Sequence, residues 1–220
     1  MRRRLSPDEI RERIVDAAGE MFGRHGFHGT TIRQITKHAG VNVAAVNYHF
    51  RDKDELYLRV LREAKNCTRL MPPAAFDGAP SDQLRGFIFS LVGQMLDPAR
   101  PAWHVQVITQ EMMRPTPALD VLVREMTEPV FHHLRQAVGA VVGRKLPRAQ
   151  LDLITSSILG QCLFYVRSRP MIARVAPELS RGPDRIERIA EHIATFSLAG
   201  LCHLYGKPTN RGRVPALHAS

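Results

Sequence analysis

Gly40 is the residue that most restricts what this chain can fold into. Before it, Ile32, Ile35 and Ala39 recur at helical spacing, and a short uncharged segment, Val43 to Tyr48, follows it. Glycine adopts the left-handed turn conformation at no steric cost. Two short helices joined by a tight glycine-containing turn make a helix-turn-helix.

Helix-start signals surround that unit. Ser6 and Glu9, Thr31 and Gln34, and Asp52 and Glu55 each have the spacing of a capping box, and Pro7 suits a first helical position. Ile10, Ile14, Ala17 and Met21 give the first helix its inner face, and Gly23 and Gly26 end it before Phe27. A fourth helix runs through Leu56, Val60 and Ala64. Val46 and Phe50 read as core.

The stretch "LMPPAAFDGAPSD", Leu70 to Asp82, breaks the periodicity with three prolines and a glycine. Beyond it lie amphipathic segments at about 82–96, 102–113, 117–143, 148–168 and 183–205, with Pro129 expected to kink or break the longest. Strand patterns bounded by turn residues are missing. The expected fold class is all-α: an N-terminal domain over 1–69, a larger helical domain over 80–206, and a disordered tail over 207–220.

The net charge of +10 favours acidic partners, with nucleic acid ahead of anionic membrane. It does not locate a face, because residues 1–65 carry 13 − 9 = +4 and the remainder 18 − 12 = +6. Cys67, Cys162 and Cys202 are too scattered for a disulfide framework or zinc site. There is no signal peptide and no apolar run of the ~18 residues that spans a membrane. A cytoplasmic protein that needs no membrane is expected. Phosphate-loop, dinucleotide, zinc-protease and nucleophile-elbow motifs are absent. His132 and His133 are adjacent and point about 100° apart on a helix. No catalytic residue, metal or cofactor is assigned.

The string "TTIRQITKHAGVNVAAVNYHFRDKDELY" closely resembles the DNA-binding signature of the TetR family of bacterial transcriptional regulators. The matching parts are the Thr-Thr helix start, the Ala-Gly-Val turn, the Tyr-His-Phe helix end and Lys-x-x-Leu-Tyr. "NVAAVNYHF" further resembles the CecR-type branch. The resemblance implies a homodimer that binds a double-stranded palindromic operator. It also implies repression relieved by a small-molecule effector, with an activator or effector-independent regulator as the alternative.

The resemblance makes Thr30, Thr31, Tyr48, His49 and Lys53 phosphate contacts. It puts base reading on Asn42, Val43, Ala44, Ala45 and Asn47. Many relatives have Lys at the position of Val43 and Tyr at that of Asn47, so the operator is not borrowed from them. Arg33 and Lys37, four apart, form a basic stripe that suits phosphate or solvent equally. Arg2, Arg3 and Arg4 suit either a minor-groove arm or a free basic terminus. An uncharged reading helix agrees with DNA binding on elementary grounds. Helix N-termini near Thr31, Val43 and Lys53 attract phosphate, while Asn pairs with adenine and Ala or Val meets a thymine methyl.

A ligand pocket is expected around Trp103, Gln106, Gln110, Met112, Met113, Phe164 and Tyr165, with plain core packing the competing reading for each. Family outline makes the last two long helices the dimer bundle. Ile154, Ile158, Cys162, Ile189, Ile193 and Ser197 are the candidate interface stripes, though the protomer core can claim the same stripes.

Overall fold

The computed structural model describes residues 6–66 and 71–206. The Arg2–Arg4 arm, Cys67 and the 207–220 tail lie outside the described residues. Every regular element among those described is helical. In chain order they are α1 (Pro7–His25), α2 (Ile32–Ala39), α3 (Val43–His49), α4 (Lys53–Asn66), α5 (Pro80–Leu96), α6 (Ala102–Met113), α7 (Ala118–Leu122), α8 (Glu128–Val142), α9 (Arg148–Arg167), α10 (Arg169–Val175) and α11 (Arg185–Tyr205).

The caps form where the sequence signals them, with one exception. Ser6 and Glu9, and Thr31 and Gln34, satisfy each other's backbone N–H groups reciprocally. At α4 only half the box closes. Asp52 accepts the Glu55 N–H at 2.8 Å, whereas the Glu55 carboxylate accepts the N–H of Arg51 instead. Gly40 ends α2 at φ 65°, ψ 35°, the left-handed conformation its position demands, and the Val41 N–H reaches back to the Thr36 carbonyl at 3.1 Å.

The Pro129 break is absorbed by a five-residue π turn, Val123–Thr127, between α7 and α8. Proline has no N–H to give to the carbonyl four residues back. The ladder therefore widens by one residue, and the Glu128 N–H bonds the Val123 carbonyl. Helix α10 was not expected. Its seven residues carry Pro170 in the first turn and follow α9 after Ser168 alone, so periodicity had no length in which to show.

Two apolar cores organise the chain. The first joins α1–α4 through Ile14, Phe22, Ile35, Val46, Phe50, Leu56 and Val60. The second lies among α5, α8, α9 and α11, around Phe87, Leu91, Leu134, Ile158 and Ile193. Helix α6 lies beyond the proline-rich break, yet its Trp103 and Val107 belong to the first core. The helices beyond the break are thereby locked to α1 and α4.

Candidate nucleic-acid interface and adjoining cavity

Helix α3 divides along its length. Val46 and Phe50 are buried in the first core, while Val43, Ala44, Asn47 and Tyr48 form a continuous outward stripe. Tyr48 is 81% exposed, an unusual position for an aromatic ring with no partner surface. The helices on either side in the chain carry exposed Arg33 and Lys37 on α2 and Lys53 at the first turn of α4. Lys53 is half-buried, its ammonium 4.2 Å from the centroid of the Phe27 ring, and burial lowers its pKa. The ring fixes the direction of the charge through a cation–π contact.

Three expected DNA contacts have other work in the fold. Thr30 is 1% exposed, and its hydroxyl donates to the Gly26 carbonyl at 2.8 Å and the Met21 carbonyl at 3.1 Å. It ties the α1–α2 turn together and offers nothing to phosphate. Asn42 caps α3, its Oδ1 accepting the Ala45 N–H at 2.8 Å, so one of its acceptor positions serves the fold. Ala45 is half-buried against the first core. Thr31 stays exposed while capping α2, and His49 is half-buried with its ring edge-on to Tyr48.

The cavity lies on the other side of α6 from the expected pocket residues. Trp103, Gln106 and Gln110 face α1. The Trp103 indole lies so close to Gly19 that a Cβ there would fall 2.4 Å from ring carbons. Gln110 donates to the Gly23 carbonyl at 3.4 Å, and Gln106 packs beside the same glycine. The opposite stripe, Val105, Ile108, Thr109 and Met112, lines a cavity of about 100 Å³. Leu91, Met95, Met126, Val130, Leu159, Leu163 and Val166 complete its apolar wall, and Thr127, Arg100 and Arg167 are further polar residues of the lining. Only Met112 of the expected set lines it. Met113 and Phe164 are exposed, and Tyr165 lines a separate recess by α10. The missed signal was the second stripe of α6, offset from the tryptophan stripe by half a turn.

Helix α4 is linked to α6 and the π turn by polar contacts, buried at Glu111 and partly exposed at Glu125. Glu111 on α6 is fully buried and accepts the Tyr57 hydroxyl at 2.8 Å, the Thr116 N–H at 2.8 Å and the Thr116 hydroxyl at 3.0 Å. Burial and the adjacent carboxylate push the Tyr57 phenol far above its usual range. Arg62 and Lys65 of α4 pair with Glu125 of the π turn at 3.0 and 3.3 Å. Burial, helped by the neighbouring Arg100 charge, lowers the pKa of His104 to about 4. Its neutral Nδ1 accepts from Arg100 Nε at 3.2 Å.

The expected dimer stripes are corrected too. Ile158, Cys162, Ile189, Ile193 and Ser197 are buried within the single chain, and Ile154 packs half-buried against them. Helices α5 and α8 cover that stripe, and burial pushes the Cys162 thiol up to about 12. The most apolar face of each helix went to the protomer's own core. The faces left outside carry Leu153 and Phe164 on α9 and Phe196 and Leu204 on α11, all exposed. Gly160 and Gly200 lie on the same two helices with open space above them.

Among the described residues, no three His, Cys, Asp or Glu side chains cluster as a metal site requires, and no helix is long and apolar enough to cross a membrane.

Comparison with known proteins accounts for both halves of the chain. Residues 14–60 match the model of bacterial regulatory proteins of the tetR family. Residues 80–201 match the C-terminal domain of the HTH-type transcriptional dual regulator CecR. The HTH-type transcriptional regulator RutR of Escherichia coli K12 is 38% identical over 191 residues, covering 86% of this chain and 88% of RutR. CecR of Shigella flexneri is 25% identical over 176 residues, covering 73% and 77%. A putative transcriptional regulator from Pseudomonas aeruginosa PAO1 has the same fold, with a TM-score of 0.65 at 19% identity, covering 92% of this chain and 96% of that one. AibR, solved with isovaleryl coenzyme A and operator DNA, aligns at 0.63 and 16% identity over 90% and 99%.

Proposed function

The chain belongs to the TetR family of bacterial transcription regulators, and on that premise we propose that it is an operator-binding homodimer released from DNA by a small, largely apolar effector. Family membership makes it a transcription regulator rather than an enzyme. The observation that carries the reading is the outward stripe of α3. Val43, Ala44, Asn47 and Tyr48 project from a helix otherwise anchored by Val46 and Phe50. Small apolar and amide side chains suit base edges, and the cations of the flanking helices and the helix ends suit phosphates. In this reading residues 1–69 hold the DNA and residues 80–206 sense the effector and dimerise.

The dimer uses the outer faces of α9 and α11. Leu153, Phe164, Phe196 and Leu204 are apolar and exposed in the single chain, and Gly160 and Gly200 let a second helix pair come close. Palindromic half-sites then mirror the two-fold axis. The effector occupies the cavity behind α6 and favours a dimer whose reading heads no longer match the operator spacing. A 1:99 to 99:1 switch requires that it prefer the released state by roughly 5.5 kcal/mol. Similarity to a protein named a dual regulator favours activation as a second reading. Transcription measured with and without the chain fixes the sign.

The test is binding of a palindromic duplex and a scrambled one at physiological salt. The palindrome should bind about 10³-fold or more tighter. Asn47→Ala should cost roughly 1–3 kcal/mol at one base position and leave other positions unaffected. Equal affinity for both duplexes would remove the basis for operator recognition.

A further inference from the structure

The cavity behind α6 has a chemistry that narrows its occupant. Most of its wall is aliphatic or methionine, and it contains no aromatic ring and no acidic side chain. There is nothing for a planar ring to stack on. Met95, Met112 and Met126 give the wall a deformable lining that adapts to flexible chains. Arg100, Arg167, Thr109 and Thr127 are the polar residues of the cavity lining. An amine would meet two like charges, whereas a carboxylate would meet two cationic donors, one of which, Arg100, is already bonded to protein acceptors.

Arg100 is also a junction. Its Nη2 donates to the Ala64 carbonyl in the last turns of α4, and its Nη1 to the Gln94 carbonyl of α5 at 3.2 Å. Its Nε donates to neutral His104 of α6. One side chain on the cavity wall thus holds together α4, α5 and α6. These acceptors are uncharged, and a carboxylate binds guanidinium roughly twice as strongly as a neutral acceptor does. Arg167, in the last turn of α9, makes no ion pair among the described residues.

We propose that the cavity takes an aliphatic monocarboxylate, received by Arg167, whose anion competes with the Ala64 carbonyl for Arg100 and so frees the C-terminal end of α4. This rests on the reading that the cavity is the effector site. A single planar charge suits a small space that is mostly apolar, because a phosphate dianion would lose more hydration on entering it. The consequence reaches DNA because the opposite end of α4 begins at Lys53, beside α3.

The experiment uses the full chain with octanoate, 1-octanol, octylamine and benzoate, all below micellar concentrations. Binding is read by calorimetry and operator release by fluorescence anisotropy. Octanoate should bind about tenfold or more tighter than octanol, the margin one charge-assisted hydrogen bond supplies. Octylamine and benzoate should bind more weakly still. Arg167→Gln should bring octanoate down to the octanol level. Arg100→Gln should still bind octanoate but lose the octanoate-dependent release. If Arg100→Gln does not fold, Arg100→Lys keeps the charge without the fork and should blunt release with binding retained. Equal binding of octanoate and octanol, or preference for the amine or the aromatic acid, overturns the proposal. Octanoate binding through Arg167 without any operator release in the unsubstituted protein would retain the ligand class, but would sink both the Arg100 coupling and the effector reading.

Discussion

Gly19→Ala tests whether α1 and α6 are locked as one unit. Gly19 is buried in the middle of α1, where alanine would normally raise helix stability by about 1 kcal/mol. Here the added Cβ would lie 2.4 Å from Trp103 Cδ2 and Cε3 and 2.7 Å from Cε2. Ordinary carbon contacts lie at about 3.5–4.0 Å, so one helix must move by roughly 1 Å or more. Neither side yields cheaply, since one is helix backbone and the other a buried fused ring that is 5% exposed. Overpacking of this kind costs about 1–3 kcal/mol, occasionally more, and the rigid partners favour the upper end. After the propensity gain is subtracted, a net loss of about 1–2 kcal/mol remains. Urea denaturation followed by circular dichroism measures it, and the single tryptophan reports the same contact by fluorescence. Trp103→Leu on the Gly19→Ala background should recover part of the loss relative to Trp103→Leu alone. A Gly19→Ala protein at least as stable as the parent, with unchanged tryptophan emission, would refute the lock.

Three further perturbations probe other parts. Lys53→Ala should weaken binding to all DNA sequences alike and flatten the dependence of log K on log salt by about one; it should also cost stability of roughly 0.5–1 kcal/mol through the lost contact with Phe27. A sequence-selective loss with an unchanged slope would argue against a phosphate contact. The pKa of His104 in the fold is about 4 against an ordinary 6.5, so the unfolded chain takes up the proton first as pH falls. Its contribution is therefore complete above about pH 6.5 and lost on descending to about pH 4, at most ~3 kcal/mol. His104→Gln should flatten that part of the stability profile, and an equally steep profile would point to other groups. Phe196→Glu places charge on the outer face of α11 and should turn dimers into monomers in light scattering; a persistent dimer would move the interface elsewhere.

The local devices were legible because each depends on a few neighbouring residues. Ser6, Thr31 and Gly40 show their roles through spacing and backbone freedom alone. The alternation of Val46 and Phe50 with Asn47 and Tyr48 likewise separates the two faces of α3. Legibility failed where two faces of one helix are both partly apolar. Periodicity shows that Trp103, Gln106 and Gln110 share a side of α6, but not whether a cavity or α1 lies opposite. The same ambiguity sent Ile158, Cys162 and Ile193 to a partner rather than to the core. Thr30 was misplaced for a related reason, since its hydroxyl partners at Met21 and Gly26 come from another helix and turn.

The sequence by itself determined the all-helical class, the helix-turn-helix and most of the residues its short third helix turns outward, because caps, glycine turns and amphipathic period act within a few residues. Tertiary structure alone decided that α6 turns its tryptophan to α1 and its valine–methionine face to a cavity. It also brought Arg100 to the carbonyl of Ala64, thirty-six residues away. Those outcomes depend on which surfaces meet after the chain has packed, and no local propensity encodes that choice.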